Sequence, residues 1–241
     1  MRFGPTPHLD NLIYQIDAAN VKSYPGSGTT LQNIAKAGTD NNTSDVITAT
    51  MGTNMTVEDR GYKAFDTNTT SGTAALADNM IGFDSSASIF FADEKPYTLE
   101  TVVGNLQATS WNSLAGKGTT SNWWTLYLSA YTTWTLRLRD DSGNYRTSDS
   151  QSKNLNTNYV HLMTTVDTSR DVRHYIDGAL VGSAIASTDT ELTLNRICAG
   201  YVSGSTTHPL KGDMLYFRVY DETLTAAQVL QNYQASKARY A

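Results

Sequence analysis

Apolar and polar residues alternate in short bursts along most of this chain, and the period is that of strands. "TWTLRLRD" (133–140) shows it most clearly: Trp134, Leu136 and Leu138 share one face, while Thr135, Arg137 and Arg139 share the other. Together with "WWTLYLS" (123–129) it predicts a hairpin around Ala130-Tyr131-Thr132. "NLIYQIDA" (11–18) predicts the first strand, with Leu12 and Tyr14 on one face and Ile13 on the other. "YTLETVV" (97–103) and "YVHLMTTVD" (159–167) predict two more, the second with Val160, Leu162 and Val166 on one side. "MLYFRVYD" (214–221) predicts the last, with Leu215, Phe217 and Val219 inward. In "VRHYIDGALVGSA" (172–184), Asp177-Gly178 suits a two-residue turn with positive φ, so this stretch predicts a tight hairpin.

Punctuation residues mark the connections. Pro25-Gly26 and Gly28 make a turn, and residues 36–60, rich in Thr, Asn, Gly and Asp and without a sustained period, read as long loops with one or two edge strands. Residues 1–10, with Pro5 and Pro7, read as an extended arm that could reach a neighbour, and 11–241 as a single domain. One segment departs from the β period. Thr225 is a good N-cap, Gln228 three residues later completes a capping box, and Leu224 and Val229 stand where a hydrophobic staple needs them. A helix over 226–238 follows, its stripe of Ala226, Val229, Leu230 and Tyr233 docking on the sandwich and its Lys237 and Arg239 favouring the helix dipole.

Composition narrows the possibilities further. Apolar residues make up 39% and charged residues 17%, a balance suited to many short strands and turns rather than to disorder. The net charge of −5 supplies no general basic field, which excludes nucleic acid as the main partner. The one cysteine, Cys198 in "NRICAG", excludes an internal disulfide framework and a Cys-rich zinc site, and reads as a buried inert thiol. There is no apolar run of about 18 residues and no signal-peptide start, so the expectation is a soluble product of the cytoplasm with no membrane insertion.

The start "IYQIDAANVKSYPGSGTT", the end "GDMLYFRVYDETLTAAQVLQNYQASKARY", and "LNTNYVHLMTTVD" followed by "VRHYIDGALVGSA" between them resemble the laminin-G-like, concanavalin-A-like jelly-roll domains common in phage virion proteins. The resemblance spans about residues 11–240, with 36–80 departing from the pattern. It implies an all-β fold, two antiparallel sheets packed as a jelly-roll sandwich, with first and last strands adjacent and a short C-terminal helix against them.

Glucanases share this fold, but their Glu-x-Asp-x-x-Glu pattern, which sets two acids about 5 Å apart on one face, is absent: Glu100 has Val102 and Gly104 at the partner positions. Asp93-Glu94, Asp140-Asp141 and Asp221-Glu222 read as solvated pairs in turns or at strand ends. The four histidines show no metal-ligand spacing, and His161 and His174 read as surface or sheet-edge residues. "LAGKGTTS" resembles a phosphate loop, yet Trp111 replaces its first glycine and Gly118 its Ser/Thr, so it reads as a loop between strands.

Two candidate sites remain. The fold admits calcium at its sandwich edge, where Asp17 ends the first strand and Asp213 begins the last; the alternative is that both only hydrogen-bond turn backbone. No other cofactor is required. Among the clustered aromatics, Trp124 and Trp134 share faces with leucines and read as core, whereas Trp123 and Tyr127 point the other way and Trp111 and Tyr131 lie in loops. Trp111, Trp123 and Tyr131 are therefore candidates for contact with either a glycan or another subunit. With the resemblance, they imply a non-enzymatic virion-surface protein, as head decoration or a fibre-like appendage, whose partners are other virion proteins, copies of itself and cell-surface glycans. A tail-borne carbohydrate-binding adhesin is the alternative, and a glycan hydrolase the third reading.

Overall fold

Strands dominate the computed structural model, which describes residues 5–35, 47–59, 61–67, 79–83, 88–107, 111–117, 125–130, 132–139, 144–187, 190–199, 201–203 and 206–240. In chain order they are β1 (Leu12–Asp17), β2 (Thr30–Leu31), β3 (Ala49–Met51), β4 (Thr56–Asp59), β5 (Lys63–Asp66), β6 (Ile81–Phe83), β7 (Ile89–Phe91) and β8 (Tyr97–Gly104). Next come β9 (Asn112–Gly116), β10 (Thr125–Leu128), β11 (Leu136–Arg139), β12 (Tyr145–Thr147), β13 (Tyr159–Val166), β14 (Asp171–Ile176), β15 (Ala179–Leu180) and β16 (Ile185–Ala186). The series ends with β17 (Leu192–Leu194), β18 (Arg196–Ile197), β19 (Tyr201–Ser203), β20 (Thr206–Thr207) and β21 (Asp213–Tyr220). Helix α1 (Ala226–Ser236) follows and runs into a 3-10 turn at Lys237–Arg239.

Two antiparallel sheets carry the fold. The nine-stranded sheet has the order β15-β14-β13-β8-β21-β5-β4, with β1 also on β21 and β16 on β14; the eight-stranded sheet has the order β12-β11-β10-β9-β18-β6-β3-β2. One continuous apolar core fills the space between them, including Tyr14, Ile16, Phe65, Tyr97, Trp134 and Phe217, all essentially inaccessible. Trp134 also satisfies its indole N–H, which donates to the Lys153 carbonyl at 2.8 Å, as a buried tryptophan must. This is the expected all-β sandwich, and β1 lies beside β21 in register from Leu12 opposite Tyr220 to Asp17 opposite Tyr216.

The two predicted hairpins form. β10 and β11 pair from Thr125–Arg139 to Leu128–Leu136. β14 and β15 turn at Asp177 and Gly178, whose φ values of 49° and 80° are the paired positive angles of a type I′ turn.

Strand parity, by contrast, fails in two places, and a β-bulge is the reason in both. The β1 register shifts between Leu12 and Tyr14, so Leu12 packs under the helix while Tyr14 enters the main core. The β21 register shifts between Met214 and Tyr216, so Leu215 leaves the inward row that Met214, Phe217 and Val219 occupy. One extra residue in a bulge reverses the alternation that follows it. Of the phosphate-loop look-alike "LAGKGTTS", the first three residues are strand rather than loop, since β9 is Asn112–Gly116 with Leu114 and Ala115 in the core; residues 118–121 lie outside the described residues.

The outer face of the nine-stranded sheet is covered by α1, with Leu12, Met163, Tyr175, Tyr220, Leu224 and Val229 packed between them. The capping box forms: the Gln228 N–H donates to Thr225 Oγ1 at 3.4 Å, and the Thr225 N–H donates to Gln228 Oε1 at 2.7 Å. The helix face that docks is rotated from the one its apolar residues suggest. Val229, Asn232 and Ser236 are buried, Ala226 is exposed and Leu230 remains 43% accessible, because the sheet beneath presents polar groups that want Asn232. Part of the N-terminal arm lies on this helix as well: the His8 N–H donates to Asn232 Oδ1 at 2.6 Å, and Gln231 Nε2 donates to the Thr6 carbonyl at 2.8 Å.

Candidate functional site

The outward row of β10, β11 and β12 gathers aromatic rings and guanidinium groups on the uncovered face of the eight-stranded sheet. Leu126, Leu128, Leu136 and Leu138 point inward, so Tyr127 and Arg137, paired directly across the strands, point outward, as do the paired Arg139 and Tyr145. Trp111, just before β9, leans over this row. Its ring centroid lies 5.2 Å from that of Tyr127, and Tyr127 meets Tyr145 edge-on at 6.3 Å. The Arg137 guanidinium sits 5.8 Å from the Trp111 ring, and that of Arg139 5.7 Å from the Tyr145 ring. His208 closes the far side of Trp111 at 6.2 Å.

This geometry makes a platform. Tyr127 is buried beneath its neighbours, and that burial pushes its phenol up to about 12, so it stays neutral. Tyr145 is 46% accessible and Trp111 is partly exposed, which leaves two ring faces for a ligand. Arg137 donates through Nε to Thr135 Oγ1 at 2.9 Å and, among the described residues, has no carboxylate partner. Flat rings offer stacking surface to a pyranose, and guanidinium groups offer fixed donors to its hydroxyls or carboxylate.

Of the aromatics singled out in the sequence, Trp111 belongs to this platform; Trp123 and Tyr131 lie outside the described residues. Tyr127, read as facing away from the core, does so, though it is covered. Tyr145, Arg137 and Arg139 were not singled out as site residues. The signal for them was the hairpin parity that set Arg137 and Arg139 opposite the leucines, continued one strand further.

Asp17 and Asp213 do not converge. Asp17 takes both guanidinium nitrogens of Arg239, at 2.9 and 2.8 Å, and caps the Ala19 N–H at 2.9 Å. Asp213 accepts from the Tyr159 hydroxyl, and it stands three positions along β21 from Tyr216, the residue opposite Asp17. As arranged, the two carboxylates do not form a shared oxygen cage for calcium, and among the described residues no group of three or more His, Cys, Asp or Glu is placed to hold a metal ion.

The most charged polar cluster is one that sequence reasoning missed. Glu100 is fully buried on the helix-covered face. Its Oε1 accepts from Arg218 Nη1 at 3.0 Å, Tyr216 Oη at 2.8 Å and His161 Nε2 at 3.1 Å. Its Oε2 accepts from Tyr220 Oη at 2.7 Å and Asn232 Nδ2 at 3.0 Å. Burial would raise this carboxyl, but Arg218, His161 and Tyr220 together hold it well below the usual carboxylate range. His161 and His174 are both buried, against the surface or sheet-edge expectation. Each fills a polar niche, His174 receiving the Thr164 hydroxyl at Nδ1, 3.0 Å, and donating from Nε2 to the Arg146 carbonyl, 3.0 Å. Cys198 is the inert thiol expected, buried 3.7 Å from the Met214 sulfur, and burial pushes its thiol up.

Solved structures with this architecture include several binding domains. The chain is similar to the binding domain of Paraclostridial Mosquitocidal Protein 1, at 13% identity and a TM-score of 0.60, over 93% of this chain and 52% of that one. It is similar to the ligand binding domain of Botulinum neurotoxin serotype D in complex with N-acetylneuraminic acid, at 12% identity and a TM-score of 0.57, over 94% and 51%. It is similar too to Trypanosoma rangeli sialidase, at 12% identity and a TM-score of 0.58, over 96% and 33%. The chain thus spans about half of the two binding domains and a third of the sialidase, and at such identities the likeness is one of fold. No curated protein matches the chain. The family model described as Concanavalin A-like lectin/glucanases superfamily (Laminin_G_3) matches residues 69–230, more than half of the sequence, and the chain belongs to that family.

Proposed function

We propose that this domain is a non-enzymatic, glycan-binding display module of a phage virion, carried on the particle surface as head decoration or as a fibre-like appendage. The observation that carries the sugar reading is the platform of Trp111, Tyr145 and Arg137, seated on the buried Tyr127 and Arg139 on the face opposite α1. The similar toxin domain whose structure was solved with N-acetylneuraminic acid supports a sugar ligand for this fold. The particle setting rests on the resemblance of the two ends of the chain to virion domains, and it brings other virion proteins and further copies of this chain as partners.

The hydrolase reading is weaker. Glu100 is sealed beneath α1, none of its hydrogen-bond partners is a carboxylate, and an acid–base pair needs a second one within reach of the substrate.

Binding of the purified protein to host-cell polysaccharide tests the proposal. Trp111→Ala is expected to weaken binding about tenfold, the loss of one stacked ring, while the protein keeps its cooperative unfolding transition. No binding at millimolar polysaccharide would end the glycan reading. Antibody-gold labelling of intact particles tests the setting: label on the head supports decoration, label confined to the tail supports the adhesin, and unlabelled particles remove the virion role.

A further inference from the structure

A second concave site lies at the other side of the molecule. The loop 153–159, the Asp177-Gly178 turn and the C-terminal end of α1 enclose a cleft of about 300 Å³, at the small end of ligand pockets and suited to one sugar ring. Its walls include the rings of Tyr159, Tyr233 and Tyr240, the ammonium groups of Lys153 and Lys237, and the Asp177 carboxylate.

The charges in this cleft do not cancel. Asp177 is fully engaged, with Oδ2 on Lys153 Nζ at 2.9 Å and Oδ1 accepting the His161 N–H at 3.0 Å. Lys237 is exposed; its ammonium lies 5.6 Å from the Tyr233 ring and, among the described residues, has no acidic partner. Among the described residues that line the cleft, cations outnumber carboxylates by one, with the Asp213 carboxylate set behind Tyr159 as the acceptor of its hydroxyl. Burial pushes the phenols of Tyr159 and Tyr240 up, so both stay neutral; the Tyr159 hydroxyl is already donated to Asp213, and that of Tyr240 is the donor left for a ligand.

The walls are also fixed in place. A Cβ on Gly178 would lie 2.9 Å from the Tyr233 ring, which shows how closely the turn meets the helix. A Cβ on Gly104 would lie 2.6 Å from the Asn158 carbonyl, so the end of β8 presses directly on the loop. Leu155, fully buried, and the Trp134 bond to the Lys153 carbonyl anchor that loop from below. A cleft that needs no rearrangement loses little entropy on binding.

We infer that this cleft binds a single carboxylated sugar unit, the carboxylate on Lys237 and the ring against the tyrosines, with Thr157 and Asn158 at the mouth to meet its hydroxyls. It is separate from the Trp111 platform, and its failure or success leaves that proposal standing.

Heteronuclear NMR titration with glucuronate and N-acetylneuraminate, using the methyl ester of each as the uncharged control, reads the two sites apart. At least one of the two acids is expected to move the backbone signals of Gly178 and Lys237 while leaving the Trp111 indole signal in place, and to bind about tenfold more tightly than its ester. Lys237→Gln, an exposed change that leaves the fold intact, should remove that preference, and Trp111→Ala should not. Ester and acid binding equally, a Lys237→Gln variant that keeps the preference, or no movement of Gly178 and Lys237 with either acid would each overturn the inference. Acetate shifting the same signals with the same affinity would overturn the sugar class and leave only an anion site.

Discussion

On the nine-stranded sheet, Arg218, His161, Tyr216 and Tyr220 surround Glu100 and are closed over by α1. On the eight-stranded sheet, Arg137, Arg139, Tyr127, Tyr145 and Trp111 stand in a similar mixture with no helix above them. The residue types are nearly the same; the difference lies in one carboxylate and one covering element. A buried carboxylate consumes the donors around it and converts them into an internal joint. On the open face Arg137 meets no carboxylate among the described residues, and Tyr145 and Trp111 keep part of their rings toward solvent, which is what a binding surface requires.

That contrast can be broken most severely at Glu100. Glu100→Ala leaves Arg218 buried without its counter-charge, and should lower stability by about 3–5 kcal/mol, read from the urea midpoint. If the midpoint hardly moves, the covered face is not the joint described. Next in size is acid. In the unfolded chain His174 takes a proton near its ordinary 6.5, whereas burial holds it down to about 4 in the fold. Between those values the unfolded state holds more protons, so stability falls as pH drops through that window, by about 3 kcal/mol in all. The carboxyl of Glu100 adds its own loss only below the ordinary 4.5, so His174→Gln should flatten the slope between pH 6.5 and 5 while leaving the steeper acid limb.

Smaller changes sharpen the comparison. Thr225→Ala removes the cap of the covering helix and should lower stability by about 1 kcal/mol, with a loss of helical circular-dichroism signal. Arg137→Ala on the open face should move stability by no more than about 0.5 kcal/mol yet weaken polysaccharide binding. A large stability loss there would mean that the open face, too, is internal architecture.

Local chemistry was legible in the sequence. The Asp177-Gly178 turn, the β10–β11 hairpin and the Thr225 cap each depend on residues within a few positions, so their signals sit together in the chain. The bulges at Ile13 and Leu215 left no such signal, because an extra residue is decided by pairing with a distant strand. Glu100 was invisible for the same reason: its partners lie 61 to 132 residues away. A hint existed in Tyr216, Arg218 and Tyr220, which alternate with Phe217 and Val219, a pattern of two buried faces rather than of one wet face. Trp111 was found because aromatics crowd its neighbourhood. Tyr145 was passed over because it arrives on a separate short strand, and only the register with Arg139 brings it in.

The pairing of β1 with β21 has a mechanical consequence. Leu12 lies opposite Tyr220, so the N-terminal arm and the segment that leads into α1 leave the sheet at the same end of one antiparallel pair, with His8 clipped to Asn232 just beyond it, while Arg239 beyond the helix is held by Asp17 at the other end of β1. A pull on the arm alone would free His8 from the helix and then peel the β1–β21 ladder one rung at a time from Leu12, whereas a pull on the C-terminal segment meets the Arg239–Asp17 pair and the docked helix first. Tension between one end and the Trp111 face instead runs through the thickness of the sandwich and loads its packed core at once. The same domain would therefore yield step by step to a pull on its N-terminal arm and resist as a unit a pull between its C-terminal segment and a ligand on its open face.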